Sequence, residues 1–152
     1  MFRKLFVPFL VSVAFVLFVL WVAGGFLMPY VLVDLPSLLI ALVAPCAVNA
    51  VQFGWKKTRM AFSAPFALDS DRETLTAAKA YFTSLGRYLG GFTVFAVITG
   101  TILLLANIGG GQANQIGRNL AVALVSVFYG SLGAILFVIP WLGAVDERLS
   151  EE

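Results

Sequence analysis

Hydrophobic residues in this chain gather in four long blocks and show no period-two alternation. The blocks cover roughly 5–28, 36–55, 88–108 and 118–142, each near or above the ~20 residues a helix needs to cross a bilayer core. Every backbone hydrogen bond of such a run can be satisfied within one helix, as lipid requires. The missing alternation argues against a membrane barrel. The first block follows Arg3 and Lys4, as the apolar part of a signal peptide would. It is longer than a typical signal core, however, and no Ala-x-Ala site follows it. It is expected to remain as a span.

Between the second and third blocks the pattern changes. Residues 56–68 are mixed, and Pro65 argues against an uninterrupted helix there. Asp69-Ser70-Asp71-Arg72-Glu73 then reads as a helix start, with acids in the first turn and Ser70 and Glu73 spaced as a capping box. Leu75, Ala78, Phe82 and Leu85 recur at helical spacing opposite Arg72, Glu73 and Lys79. This amphipathic helix is expected to run into the third block. Its stripe serves either as packing against a neighbour or as a docking face, and burial is the commoner use of such stripes. No internal repeat is visible. The chain therefore reads as one domain, 1–152, of an all-α membrane protein with four transmembrane helices.

Composition agrees with that class. Of 152 residues, 61% are hydrophobic and 12% charged, and the mean hydropathy is +0.96. A soluble domain with this balance would expose large apolar patches and aggregate. The position of the cations matters more than the net charge of +2. Arg3 and Lys4, then Lys56, Lys57, Arg59, Arg72, Lys79 and Arg87, then Arg148 all lie on one side of the predicted membrane, with Arg118 alone opposite. The positive-inside rule places both termini and the central segment in the cytoplasm. Tyr30 marks the outer interface, and Trp55, Tyr88 and Trp141 the inner one. The basic segment is read as a topology signal beside anionic lipid rather than as a nucleic-acid site.

Candidate chemistry is sparse. Histidine is absent, which removes histidine metal sites and histidine acid–base chemistry, and the single cysteine, Cys46, reads as a small buried apolar side chain. The triple glycine 109–111 lacks the lysine and the strand–helix setting of a phosphate loop and reads as a turn. No nucleophile–base pair or metal-ligand cluster points to an enzyme, and neither a metal nor a cofactor is expected. No acidic or basic residue lies in the middle of a span; Asp34, just before Pro36, reads as the cap of the second helix. Proton relays normally need intramembrane ionisable groups, so any carboxylate for ion transport must come from a partner. Small residues mark close helix contacts: Ala96 and Gly100 in the third span, and Ala123, Gly130 and Gly133 in the fourth. Thr93, Thr101 and Ser126 share faces with them. Those hydroxyls either bond water or a partner helix, or bond their own backbone.

Several segments resemble the MotA/TolQ/ExbB family, the channel-forming subunits of bacterial ion-driven motors. Asp34-Leu35-Pro36-Ser37-Leu38-Leu39-Ile40 looks like the opening of that family's second helix. Leu85-Gly86-Arg87-Tyr88, followed by an apolar run to Leu105-Ala106-Asn107, is similar to the third. Ala121-Val122-Ala123-Leu124 through Tyr129-Gly130, then Pro140 and a charged tail, is similar to the fourth. The resemblance implies a homo-oligomeric ring, a pentamer, in the bacterial inner membrane. The ring would surround a single-span MotB- or ExbD-like partner that carries the essential aspartate. It also implies an H⁺ or Na⁺ path lined here by Thr93, Thr101 and Ser126.

The chain departs from the family pattern in places. Its cytoplasmic segment is shorter than that of flagellar MotA. The family's Gly-Thr pair in the third helix aligns with Ala96-Val97, which lacks a hydroxyl. The hydroxyl pair of the fourth helix aligns with Ser126-Val127, which keeps one. The proline that opens the third helix is replaced near Gly90. Two other readings therefore stand beside the channel: a MotA-like membrane scaffold that conducts nothing, and an unrelated four-helix membrane protein.

Overall fold

A computed structural model describes residues 2–22, 32–67, 70–108 and 113–151, with side chains from Phe6 onward except at 107–108, 113–115 and 118. Tyr30, the end of the first apolar block and the glycine turn at 109–112 lie outside the described residues. The described residues form helices and no strand. These are α1 (Phe2–Val22), α2 (Leu35–Phe53), α3 (Trp55–Ser63), α4 (Arg72–Ile108) and α5 (residues 113–151). Three of them, α2, α4 and α5, are long and apolar enough to cross a membrane, and the described apolar part of α1, Phe6–Val22, is shorter.

α2 opens as its sequence predicts. Asp34 caps it, its Oδ2 accepting from the Ser37 N–H at 2.8 Å. Both α2 and α5 carry an internal proline, and both answer it in the same way. A proline offers no N–H and crowds the carbonyl four residues earlier. A π-helical stretch, Leu39–Val43, stands two residues before Pro45, and another, Ala134–Val138, two residues before Pro140. The Ala44 N–H reaches back to Leu39 O, and the Ile139 N–H to Ala134 O. One wide turn ahead of each proline lets the helix continue.

The second apolar block is shorter than the sequence indicates. α2 stops at Phe53 because Gly54 takes φ 78°, ψ 151°, a region open essentially to glycine alone. α3 then begins, its first turn fastened where Thr58 N–H and Oγ1 both donate to Gly54 O. α3 buries Thr58 and Ala61 and exposes Lys56, Lys57 and Arg59. It ends in a turn at 64–66, where Pro65 lies.

α4 runs unbroken for 37 residues, so the amphipathic segment and the third apolar block are one helix. Its cap differs from the expected box. Asp71 is the capping residue, its Oδ1 accepting from the Thr74 N–H at 3.2 Å, while Ser70 donates instead to Ala64 O. The helix starts at Arg72, so Asp71 is the flanking residue whose side chain accepts from the first turn, and the Ser70 hydroxyl donates to the preceding turn.

The core lies at the end of the bundle that carries Lys56, Lys57, Arg59, Arg72 and Arg148, here called the basic end. Leu75, Ala78, Phe82 and Leu85 of the α4 stripe are all buried there, together with Ala61, Ala64, Tyr81 and Val145. The Phe62 ring meets Tyr81, Phe82 and Trp141 edge-on at 5.2–5.9 Å, a favoured aromatic geometry. Trp141 Nε1 donates to Phe62 O, Arg148 Nη1 donates to the carbonyls of Ala64 and Ala67 at 2.7 Å, and Lys79 pairs with Asp146 at 2.8 Å. α1 lies along α5, with Phe9 against Trp141 and Val16 and Leu20 facing Phe128 and Leu132. Much of α1 is bare, Trp21 at 68% and Phe15 at 66% exposed. Such a uniform apolar surface is what a lipid-facing helix presents.

Candidate functional site

α4 and α5 run antiparallel and touch along one seam. From the basic end outward, Gly86 meets Val138, Thr93 meets Gly130 and Gly100 meets Ala123. The α4 members recur every seven residues, the repeat that keeps one helix face on a partner. On α5, Gly130 and Val138 stand eight apart, and the π-helical stretch between them absorbs the extra residue. Glycine is required at two of these crossings. A Cβ on Gly100 would lie 2.9 Å from the Ala123 Cβ, and one on Gly130 would clash with Thr93 Oγ1. Gly133 leaves room for α2, since a Cβ there would lie 2.8 Å from a Leu42 methyl. Ala96 and Ala123 are buried at 5% and 6% exposure.

The three hydroxyl residues occupy different environments. The Thr93 hydroxyl is buried beside Gly130 and has no hydrogen-bond partner. Ser126, one turn from Gly130, is 1% exposed and donates to its own helix at Val122 O, 3.0 Å away. The same carbonyl accepts from Ser37 Oγ of α2 at 3.1 Å, so α2 and α5 are tied at one oxygen. Thr101 lies at the edge of the α4 seam, exposed, and donates to Val97 O at 2.8 Å. The structure thus brings Thr93 and Ser126 into one seam and sets Thr101 on an open face. A hydroxyl that donates to its own backbone keeps lone pairs to accept from water or to meet a cation.

Five polar residues take part that the hydroxyl argument passed over. Ser37 is one. Asn49 is fully buried in α2, its Nδ2 3.4 Å from Tyr81 O and its Oδ1 without a partner. Tyr129 OH donates to Leu32 O at 2.6 Å, and Tyr88 OH to Gln52 Oε1 at 2.7 Å. A signal for them existed: Asn49 and Gln52 are the two amides of an otherwise apolar run, and polar groups in spans usually face the bundle.

Between Tyr88 and Ala106 on α4, and between Asn119 and Val145 on α5, no acidic or basic side chain occurs. Among the described residues no three His, Cys, Asp or Glu side chains converge as metal ligands would. The seam can therefore fix helix spacing and offer hydroxyl oxygens, and it brings no charged side chain of its own.

Comparison with curated proteins and with solved structures finds no match. The model of the MotA/TolQ/ExbB proton channel family matches residues 41–151, from the first π-helical stretch of α2 through α5, and the chain belongs to that family.

Proposed function

We propose that this chain is the ring-forming channel subunit of an ion-driven, stator-like motor of the bacterial inner membrane. It crosses the membrane four times with both termini in the cytoplasm, and H⁺ or Na⁺ moves beside it. A single-span MotB- or ExbD-like partner supplies the essential aspartate. The observation that carries this reading is the α4–α5 pair: two long apolar helices locked by small residues, without an acidic or basic side chain along their apolar lengths. Such a pair makes a rigid wall for a carboxylate carried by another chain. The uncovered α4 face with Val94, Ile98, Thr101, Ile102 and Leu105 is available to further copies in a pentameric ring.

Within this reading Thr93, Thr101 and Ser126 line the ion path. Thr101 is the one exposed in a single subunit, and Thr93 and Ser126 stand behind it in the seam. The test is ion flux into vesicles holding the chain and its co-purified single-span partner. Ser126→Leu is expected to abolish flux at unchanged expression, and Thr101→Val to lower it. Native mass spectrometry is expected to find five copies with two of the partner. Flux that ignores both substitutions sinks the assignment.

One observation favours a second reading. The hydroxyls of Thr101 and Ser126 are both committed to their own helix, as they would be in a MotA-like scaffold that conducts nothing. Such a scaffold tolerates Ser126→Val and forms its ring without a membrane potential.

A further inference from the structure

A cavity of about 710 Å³ lies among α2, α3, α4 and α5. Leu42, Cys46, Ala50, Leu89 and Phe137 form its floor, and Trp55, Arg59 and Phe62 of α3 its rim. The residues of α3 that face it, Trp55, Thr58, Arg59, Phe62 and Ser63, follow helical spacing. Two of its polar side chains are already engaged, Thr58 Oγ1 with Gly54 O and Ser63 Oγ with Met60 O. Arg59 has no ion pair among the described residues, and no carboxylate lines the cavity. The nearest acids on the α4 start, Asp71 and Glu73, line a separate groove on the opposite side of α3, together with Lys56 and Lys57.

We propose that this cavity seats one acyl chain of an anionic phospholipid from the leaflet at the basic end, with the headgroup phosphate held by Arg59. The floor is wholly apolar and lies on the apolar stretches of α2, α4 and α5. The guanidinium supplies several donors in a fork suited to phosphate. Trp55, 71% exposed, stands at the level where indoles prefer the headgroup region. Size selects a thin occupant. A spanning helix from a second copy is ~10 Å across and ~30 Å long and would fill on the order of 2,000 Å³. The cavity falls instead in the range of about 300–1,000 Å³ typical of small-ligand sites. The proposal does not depend on the ion path, since none of Thr93, Thr101 or Ser126 lines this cavity.

The test uses the full chain in phosphatidylcholine vesicles that contain a rising mole fraction of phosphatidylglycerol or phosphatidylcholine brominated on the acyl chain. Bromine quenches nearby tryptophan, and the share due to Trp55 is the part lost in Trp55→Phe. Brominated phosphatidylglycerol is expected to reach half-maximal quenching of Trp55 at about fivefold lower mole fraction than brominated phosphatidylcholine, the effect of one basic side chain at an anionic surface. Arg59→Glu, an exposed change, is expected to erase that difference. Cys46→Phe, which fills the floor, is expected to reduce quenching by both lipids. Equal quenching by the two lipids that Arg59→Glu leaves unchanged overturns the proposal. So does a Trp55 that neither lipid quenches, which would mean another protein surface covers the cavity.

Discussion

At the basic end, Phe62, Tyr81, Phe82 and Trp141 fill the space among α3, α4 and α5. Toward the other end, the same α4 and α5 touch through Thr93, Gly100, Ala123 and Gly130. The difference follows from the surroundings. The basic end carries most of the charged side chains, among them Lys56, Arg72, Lys79, Asp146 and Arg148, and so stands in water or headgroups. There, burying rings removes apolar surface from water. In the apolar half lipid is as apolar as leucine, and burial alone drives nothing. Helices hold through close contact and van der Waals packing, which small residues permit. The basic end should therefore fail when side chains shrink, and the seam when they grow.

The largest effect tests the first half of that statement. Phe82 is fully buried among Leu75, Phe62 and Tyr81. Phe82→Ala is expected to destabilise the chain by ~3–5 kcal/mol, from lost burial and the cavity left behind. A large fall in thermal midpoint in detergent would show this, whereas truncating an exposed seam-half residue, Leu103→Ala, should barely move it. Equal falls for both would break the comparison.

The second effect runs in the opposite direction. Gly130→Ala adds a single methyl, yet that methyl would clash with the Thr93 hydroxyl, and the Thr93 Cβ would be only 3.1 Å away. Overpacking of this kind costs ~1–3 kcal/mol. Thr93→Ala removes the nearest atom, so the double variant is expected to recover part of the loss, which a double-mutant cycle would measure. Full additivity would mean that Thr93 and Gly130 do not touch in the membrane.

Gly54→Ala separates backbone from packing. A Cβ at Gly54 meets nothing within 4 Å, but the residue stands at φ 78°, ψ 151°. The cost should therefore be conformational alone, ~1–3 kcal/mol, and no second-site truncation should relieve it. Rescue by a neighbouring small residue would show that α3 is held by contact rather than by the joint.

Much of this contrast was legible before any coordinates. The blocks of apolar residues marked the long helices, and the spacing of Leu75, Ala78, Phe82 and Leu85 marked the buried side of α4. Asp34 before Pro36 marked a cap. Other features depend on which of several possible partners comes within reach, and a one-dimensional pattern does not carry that. Ser70 and Asp71 both qualify as caps, and the start of the helix at Arg72 makes Asp71 the flanking one. Pro45 and Pro140 announce a disturbance, but whether it becomes a kink or a wide turn depends on the packing around each helix. The hydroxyls of Thr93, Thr101 and Ser126 look alike in the sequence. Only the seam geometry leaves the first without a partner and gives the other two their own carbonyls.

The smallest effect concerns the cap that opens α4 and with it the connection from the core to the seam. Asp71 is fully exposed, yet its hydrogen bonds with Thr74, through the side chain first and the backbone N–H second, hold its carboxyl below the usual carboxylate range. A carboxyl whose value is lowered by folding stabilises the fold at pH values above its unfolded value of about 3.9. That contribution is lost as pH falls through the lowered folded value. Acidification from neutral pH should thus loosen the first turn of α4. Asn also caps helices but does not ionise, so Asp71→Asn should remove this part of the acid sensitivity while keeping the turn. Comparing thermal midpoints of the two proteins from pH 7 to pH 3 isolates the effect, because every other carboxylate is common to both. An advantage over Asp71→Asn at neutral pH that shrinks on acidification places the weak point of the basic end at its cap. A constant difference would mean that the charge on Asp71 plays no part, and that the ring cluster alone fixes where α4 begins.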